Sequence, residues 1–275
     1  MTHALILNED EDRKVHASVK AVSPADLPDP DGKGRDVLVK VKHSTINYKD
    51  GMVVKGIGRL VKSYPHIPGI DFAGEVMESN HPDYQAGDEV VLTGWRVGEF
   101  FNGGLSNVAR VNGDWLVPLP QGLSAAEAMA VGTAGFTAML AIHQLEQQGL
   151  TPNGDLPILV SGATGGVGSI AVSLLHHLGY QVTAVTGKAS AKDYLTMLGA
   201  NSIIMRETLN EPEKRPLEKE CWAGAIDAVG GVMLSRILAQ TQYGGSVAAI
   251  GLAGGNQMAG TVLPFLLRGV HQYSR

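Results

Sequence analysis

The 275-residue sequence contains one cysteine, Cys221, so no disulfide can form within the chain, which suits a reducing compartment. Aromatic residues make up 5 % and charged residues 18 %. No basic run tracks a phosphate backbone and the net charge is −5, so no nucleic-acid partner is expected. The N-terminus, Met1-Thr-His-Ala-Leu-Ile-Leu-Asn-Glu-Asp10, has neither a basic region nor a long apolar one, and does not read as a signal peptide. No run is read as reaching the ~20 apolar residues of a membrane span. These absences lead to the expectation of a cytoplasmic protein without membrane partners. Metal ligands are equally scarce: the nine histidines show no ligand spacing, and His176-His177 sit about 100° apart on a helix. No metal is expected.

What is abundant is glycine, 35 residues against a usual ~7 %. Four of them, Gly162, Gly165, Gly166 and Gly168, follow the apolar run Ile158-Leu-Val. Ala163-Thr164-Gly165-Gly166-Val167-Gly168 matches G-x-G-x-x-G with alanine in first place. Gly165 would let the backbone approach a pyrophosphate, Gly168 would let helix and strand pack closely, and the helix N-terminus offers free amides.

The two halves of the chain differ in pattern. Up to about residue 120 the apolar runs are short, with candidate strands at 4–7, 36–43, 74–78, 89–93, 106–111 and 115–117. The segment 36–43 alternates through Val37, Val39 and Val41. Pro28-Asp-Pro-Asp-Gly-Lys-Gly34 reads as a loop. Ser124-Ala-Ala-Glu127 then fits a capping box, opening helices at about 124–131 and 135–148 with Gly149 as the stop. Strands at 158–161, 181–186, 202–205, 225–228 and 246–251 alternate with helices at about 166–178, 190–198 and 232–240. Such alternation predicts a doubly wound parallel sheet. The domain boundary is placed at 123/124, giving domains 1–123 and 124–275.

The second strand of that half bears on the choice of dinucleotide. NAD sites usually end it with a carboxylate that accepts from the ribose 2′-hydroxyl. Here Thr186-Gly187-Lys188 follows, with no carboxylate before Asp193. A hydroxyl, a glycine amide and an ammonium suit a 2′-phosphate, so NADPH is the expected cofactor; the alternative is a solvated loop lysine.

Several segments together carry a resemblance: Thr45-Ile-Asn47-Tyr48-Lys-Asp50, Pro68-Gly-Ile-Asp71-Phe-Ala-Gly74, Gly132-Thr-Ala-Gly-Phe-Thr137-Ala, the glycine turn, Arg215-Pro-Leu-Glu-Lys219, Trp222-Ala-Gly-Ala-Ile-Asp227 and Gly251-Leu-Ala-Gly-Gly255. The chain resembles the zinc-free, quinone-oxidoreductase-type members of the medium-chain dehydrogenase/reductase family, and among them the NADPH-dependent acryloyl-CoA reductase branch. The likeness runs from residue 1 to about 270. It implies an α/β fold, with a β-rich GroES-like catalytic domain followed by a Rossmann NADPH-binding domain. Zinc-dependent relatives carry a Gly-His-Glu segment where this chain has Gly69-Ile70-Asp71.

Without a Lewis acid to carry alkoxide charge, an acceptor already polarised by conjugation is expected. A 2-enoyl thioester such as acryloyl-CoA fits that requirement, giving propanoyl-CoA; an enone or quinone is the alternative substrate. A third reading is a non-catalytic NADPH-binding protein.

By resemblance, Tyr48 contacts the cofactor near its nicotinamide, while Thr164, Gly165, Gly166 and Val167 hold the pyrophosphate beside Gly168. Thr186, Gly187, Lys188 and Arg206 take the 2′-phosphate, and Leu252 and Leu266 line the nicotinamide side. Asn47, Tyr48 and Asp50 are the candidates for polar work at the reacting centre. Alternatively, Tyr48 packs as an ordinary half-buried tyrosine and Asp50 caps a helix. Relatives are typically homodimers. They also continue past Leu263-Pro-Phe-Leu-Leu-Arg-Gly-Val270, and the last five residues, His271 to Arg275, do not match that continuation. The expectation is therefore a C-terminally truncated chain whose Rossmann sheet lacks its last strand and leaves an apolar edge uncovered.

Overall fold

The computed structural model describes residues 2–211 and 215–274. The chain forms two compact units, residues 1–133 and 134–275. The expected domain boundary at 123/124 lies N-terminal to the junction of these units.

The first unit opens with β1 (Thr2–Glu9) and β2 (Val15–Val22), an antiparallel hairpin. The sequence pattern shows only part of β1 and none of β2, because β2 is solvent-exposed along nearly its whole length and so has no apolar alternation. Next come β3 (Asp36–His43), α1 (Tyr48–Val54), β4 (Asp71–Ser79), β5 (Glu89–Thr93), β6 (Val108–Asn112) and β7 (Val117–Pro118). The five strands β6-β3-β4-β5-β7 form one antiparallel sheet. Alternate residues Val37 and Val39 of β3 point into a core with Phe72, Val76, Val90, Leu92 and Val111. Leu38 between them is buried in a second cluster with Ala4, Leu27, Ile67 and Val108, so this end of β3 is covered on both faces and not half-buried as its alternation predicted.

Helix α2 (Ala125–Gln147) breaks at Gly132, whose φ of 52° and ψ of −164° are open to glycine alone. The expected capping box forms: Glu127 Oε2 accepts from the Ser124 amide and hydroxyl at 2.8 and 2.7 Å, and Ser124 Oγ accepts from the Glu127 amide at 3.2 Å. At 23 residues α2 is long and apolar enough to cross a membrane, where the sequence reading found no such run. Its apolar length has another use in the fold. Ala125, Ala128 and Met129 pack against Ala73 of β4, and Ala138, Ala141, Ile142 and Leu145 lie in the main core of the second unit.

The second unit continues with β8 (Ile158–Val160), α3 (Gly166–His177), β9 (Val182–Thr186), α4 (Lys192–Met197), β10 (Ser202–Met205), β11 (Trp222–Asp227), α5 (Gly231–Gln240), β12 (Thr241–Ala249), α6 (Leu263–Arg268) and β13 (His271–Tyr273). They build a six-stranded parallel sheet in the order β10-β9-β8-β11-β12-β13. Ile158 and Val160 face one core with α2 and α3, while Leu159 faces the other with Met233 and Ile237 of α5. Burial on both faces explains why β8 reads as an unbroken apolar run.

The sixth strand corrects the expectation that the sheet lacks it. Gly269, at φ 56°, caps α6 and donates to Pro264. Val270 then drops into the core beside Val247, and His271, Gln272 and Tyr273 pair with Ser246, Val247 and Ala248. Backbone pairing needs no apolar side chains, so this polar edge strand leaves no trace in the hydrophobic pattern.

Candidate functional site

In the second unit, the C-terminal ends of β8, β9 and β10 meet at one crevice, where ligands bind in open parallel sheets. The turn from β8 to α3 is fixed by Gly162, at φ 58°, whose carbonyl accepts from the Gly165 amide at 2.8 Å. A Cβ on Gly168 would lie 2.4 Å from the Gly162 carbonyl oxygen and 2.7 Å from the Cα of Ala163. Only glycine permits that crossing, so the helix start stays tight against the strand. Gly165 is the N-cap of the 12-residue α3, and the first-turn amides have no acceptor within the helix. The positive helix end therefore faces the crevice.

Beside this turn lies a cavity of about 160 Å³ lined by Gly162, Thr164, Val185, Thr186, Gly187, Lys188, Arg206, Val229 and Met233. The structure thus gathers Thr164 with the four residues Thr186, Gly187, Lys188 and Arg206. The Arg206 guanidinium crosses over Gly187, where a Cβ would come within 2.7 Å of Nη2. Thr186 Oγ1 accepts from the Lys188 amide at 3.0 Å, which turns the chain at the end of β9. Lys188 and Arg206 are both solvent-exposed, and neither forms an ion pair among the described residues. Two free cations, a glycine turn and a helix N-terminus make a cradle for a phosphorylated dinucleotide, and the residues fit that group.

A buried carboxylate supports the crevice from below. Asp227, at the end of β11, accepts from Ser161 Oγ at 2.5 Å, the Val229 amide at 3.3 Å and the Gly230 amide at 2.7 Å. Burial pushes its carboxyl above the usual range, opposed by those three donors. The Ala228–Gly230 loop held in this way pairs with the loop after β12, through Gly254 N to Val229 O at 2.7 Å and the Gly230–Gly255 bridge. Leu252 sits exposed in that second loop and Leu266 exposed on α6; neither lines the cavity. Asp227 lay inside a motif of the sequence, but its role needed the turn at Ser161 to be seen.

In the first unit a second carboxylate, Asp71, is fully buried at the start of β4. It accepts from Thr45 N at 3.0 Å and Thr45 Oγ1 at 2.7 Å, from Asn47 Nδ2 at 2.9 Å, and from Thr133 N and Oγ1 at 3.0 and 2.7 Å. This knot ties the 44–47 loop to the break in α2, where a Cβ on Gly132 would press on Thr45 Oγ1 at 3.1 Å.

Asn47 is the N-cap of α1, and its amide donates to Asp50 Oδ2 at 2.7 Å. Asp50 is 1 % exposed and also accepts from the Ile70 amide at 3.1 Å. Burial raises its carboxyl, and the nearby Asp71 charge adds to the rise. Asp50 therefore braces the turn from within. Tyr48 projects from the same turn at 66 % exposure, so it is not the half-buried packing residue of the alternative reading. Among the described residues no group of three or more His, Cys, Asp or Glu side chains is placed to hold a metal ion.

The model of the alcohol dehydrogenase GroES-like domain matches residues 33–121, and that of the zinc-binding dehydrogenase domain matches residues 166–273. Acrylyl-CoA reductase AcuI from Ruegeria pomeroyi is 58 % identical over 272 residues, spanning 98 % of this chain and 81 % of the relative. The crystal structure of the YhdH oxidoreductase from Salmonella enterica in complex with NADP superposes with a TM-score of 0.93 at 52 % identity, over 99 % of this chain and 81 % of that one. Bacillus subtilis YhfP with NAD bound gives 0.92 at 50 % identity, again over 99 % and 81 %. With a GroES-like first half, a Rossmann-like second half and relatives this similar across almost its whole length, the chain belongs to the medium-chain dehydrogenase/reductase family.

Proposed function

We propose that the protein reduces the activated double bond of acryloyl-CoA to propanoyl-CoA, with NADPH as hydride donor and one proton taken up at the α-carbon. The 58 % identity to an acrylyl-CoA reductase carries the substrate class. The cavity at Thr186, Gly187, Lys188 and Arg206 supports the choice of NADPH.

In this reading the first-turn amides from Thr164 to Gly168 hold the pyrophosphate. Lys188 supplies a point charge to the 2′-phosphate, and Arg206 a planar fork. When bound, the dinucleotide supplies the hydride; the acceptor's conjugation spreads the developing charge onto the thioester oxygen. Hydrogen-bond donors aimed at that oxygen then lower the barrier. The Tyr48 hydroxyl is the exposed donor of the α1 turn. Asn47, held by Asp71, and Asp50, held by the Asn47 and Ile70 amides, are positioning residues that set its direction. The family's NADP and NAD complexes at similar identity make cofactor preference a direct test.

NADPH absorbance is followed with acryloyl-CoA, with 1,4-benzoquinone and with no acceptor. Turnover on acryloyl-CoA with a preference for NADPH over NADH supports the reading, and turnover on benzoquinone alone sinks it. The quinone alternative rests on relatives such as the chloroplast envelope quinone oxidoreductase homolog of Arabidopsis thaliana, 35 % identical over 191 residues. The reading includes a cytoplasmic homodimer; light scattering checks the mass.

A further inference from the structure

The segment between β5 and β6 holds the only adjacent pair of non-glycine residues with left-handed backbone among the described residues. Gly94, Trp95 and Arg96 have φ of 86°, 54° and 61°. Such strain persists only where surrounding contacts enforce it, and it concentrates at binding sites. The enforcing contacts are present. The Arg96 carbonyl accepts from the amides of Glu99, Phe100 and Phe101 at 3.2, 2.9 and 3.2 Å. Val97 is fully buried, its amide donating to Gly94 O at 3.1 Å. Gly98 lies so close to Gly69 that a Cβ would stand 2.6 Å from its carbonyl carbon.

This rigid frame holds an apolar ring and a cation out in water. The Trp95 indole is 58 % exposed and lies nearly parallel to Trp115, with centroids 6.5 Å apart and planes 12° apart. The Arg96 guanidinium sits 5.0 Å above the Phe100 ring and has no carboxylate partner among the described residues. The nearest acid in the loop, Glu99, is taken by Lys49 Nζ at 2.9 Å. Lys49 is next to Tyr48, so the same ion pair ties this loop to the α1 turn.

An exposed indole and, on the next residue, an exposed guanidinium without a carboxylate partner among the described residues are the groups that take a planar base and its phosphates. We propose that Trp95 and Arg96 bind the adenine nucleotide end of the CoA thioester, with the base against the indole and a phosphate on the guanidinium. The proposal rests on the acryloyl-CoA reading above and adds the part of the chain that selects CoA over smaller acceptors.

The test titrates adenosine 3′,5′-bisphosphate into the full chain saturated with NADP, so that the 2′-phosphate cradle is filled. Wild type is expected to bind, Trp95→Ala and Arg96→Ala to weaken binding about tenfold, and Trp95→Phe to keep most of it. Melting temperatures confirm that each variant is folded. In turnover, Trp95→Ala should raise KM rather than lower kcat. Its loss should be about tenfold larger on acryloyl-CoA than on acryloyl-pantetheine, which lacks the nucleotide. Absence of bisphosphate binding in wild type, alanine variants that bind as tightly as wild type, or equal loss on both substrates would each overturn the proposal. If wild type binds the bisphosphate through Trp95 yet turns over no acryloyl-CoA, the reductase reading fails and the nucleotide site stands.

Discussion

The two halves of the molecule each centre on a buried carboxylate, and they organise it differently. Asp227 works mainly on the turn after its own strand, through the Val229 and Gly230 amides, and takes one distant hydroxyl, from Ser161 at the end of the neighbouring β8. Asp71 gathers its side-chain donors wholly from outside its own strand, from two segments: the 44–47 loop, through Thr45 and Asn47, and Thr133 at the break in α2. A turn braced chiefly by the carboxylate of its own strand can be varied without undoing the rest of its domain. A knot of separate segments fails as a whole, because its part-buried donors share one acceptor.

The largest effect is therefore expected at Asp71. Asp71→Ala strands the Thr45, Asn47 and Thr133 donors and should cost about 3 kcal/mol or more in urea unfolding. A cost below about 1 kcal/mol would show that these donors find water, and would erase the contrast between the halves. Gly168→Ala comes next. Its methyl would meet backbone atoms rather than a flexible side chain, so about 2 kcal/mol of overpacking is expected, together with weakened NADPH binding by fluorescence titration. Unchanged affinity would mean that the helix start does not hold the pyrophosphate.

Arg206→Ala should leave stability nearly untouched while raising the KM for NADPH about tenfold or more, with NADH unaffected. Equal losses with both cofactors would remove Arg206 from the 2′-phosphate site. The smallest effect is a slope. Because burial raises Asp227 in the folded state, its protonated form costs nothing below the ordinary carboxyl value of 3.8. Stability is lost as pH rises from there through the raised value. Asp227→Asn should flatten that decline in urea midpoints taken across the acid range; an unchanged slope would assign it to other groups, Asp50 among them.

Much of the second unit was readable in advance because its signals are local. The apolar run of β8 and the glycines at 162, 165, 166 and 168 describe a strand, a turn and a close helix crossing, and the structure builds each of them. The absence of a carboxylate after β9 likewise pointed to Lys188, which the fold brings to the cavity rim. Three features escaped for physical reasons. β2 is exposed along nearly its whole length, and β13 pairs through its backbone with polar side chains, so neither shows hydrophobic periodicity. The roles of Asp71 and Asp227 depend on donors that only folding brings near.

The amino-acid order alone dictated the alternation of strands and helices, the capping box at Ser124, the glycine turn and the lack of metal-ligand spacing, since each rests on neighbours within a few residues. Packing dictated the rest. It fixed which carboxylates are braces, leaving Tyr48 exposed above a buried Asp50, and it laid Arg206 across Gly187. It also forced Trp95 and Arg96 into left-handed backbone. Long-range hydrogen bonds and close backbone contacts have no signature in sequence spacing, and in this protein they fix where Asp50, Asp71, Asp227 and Arg206 sit.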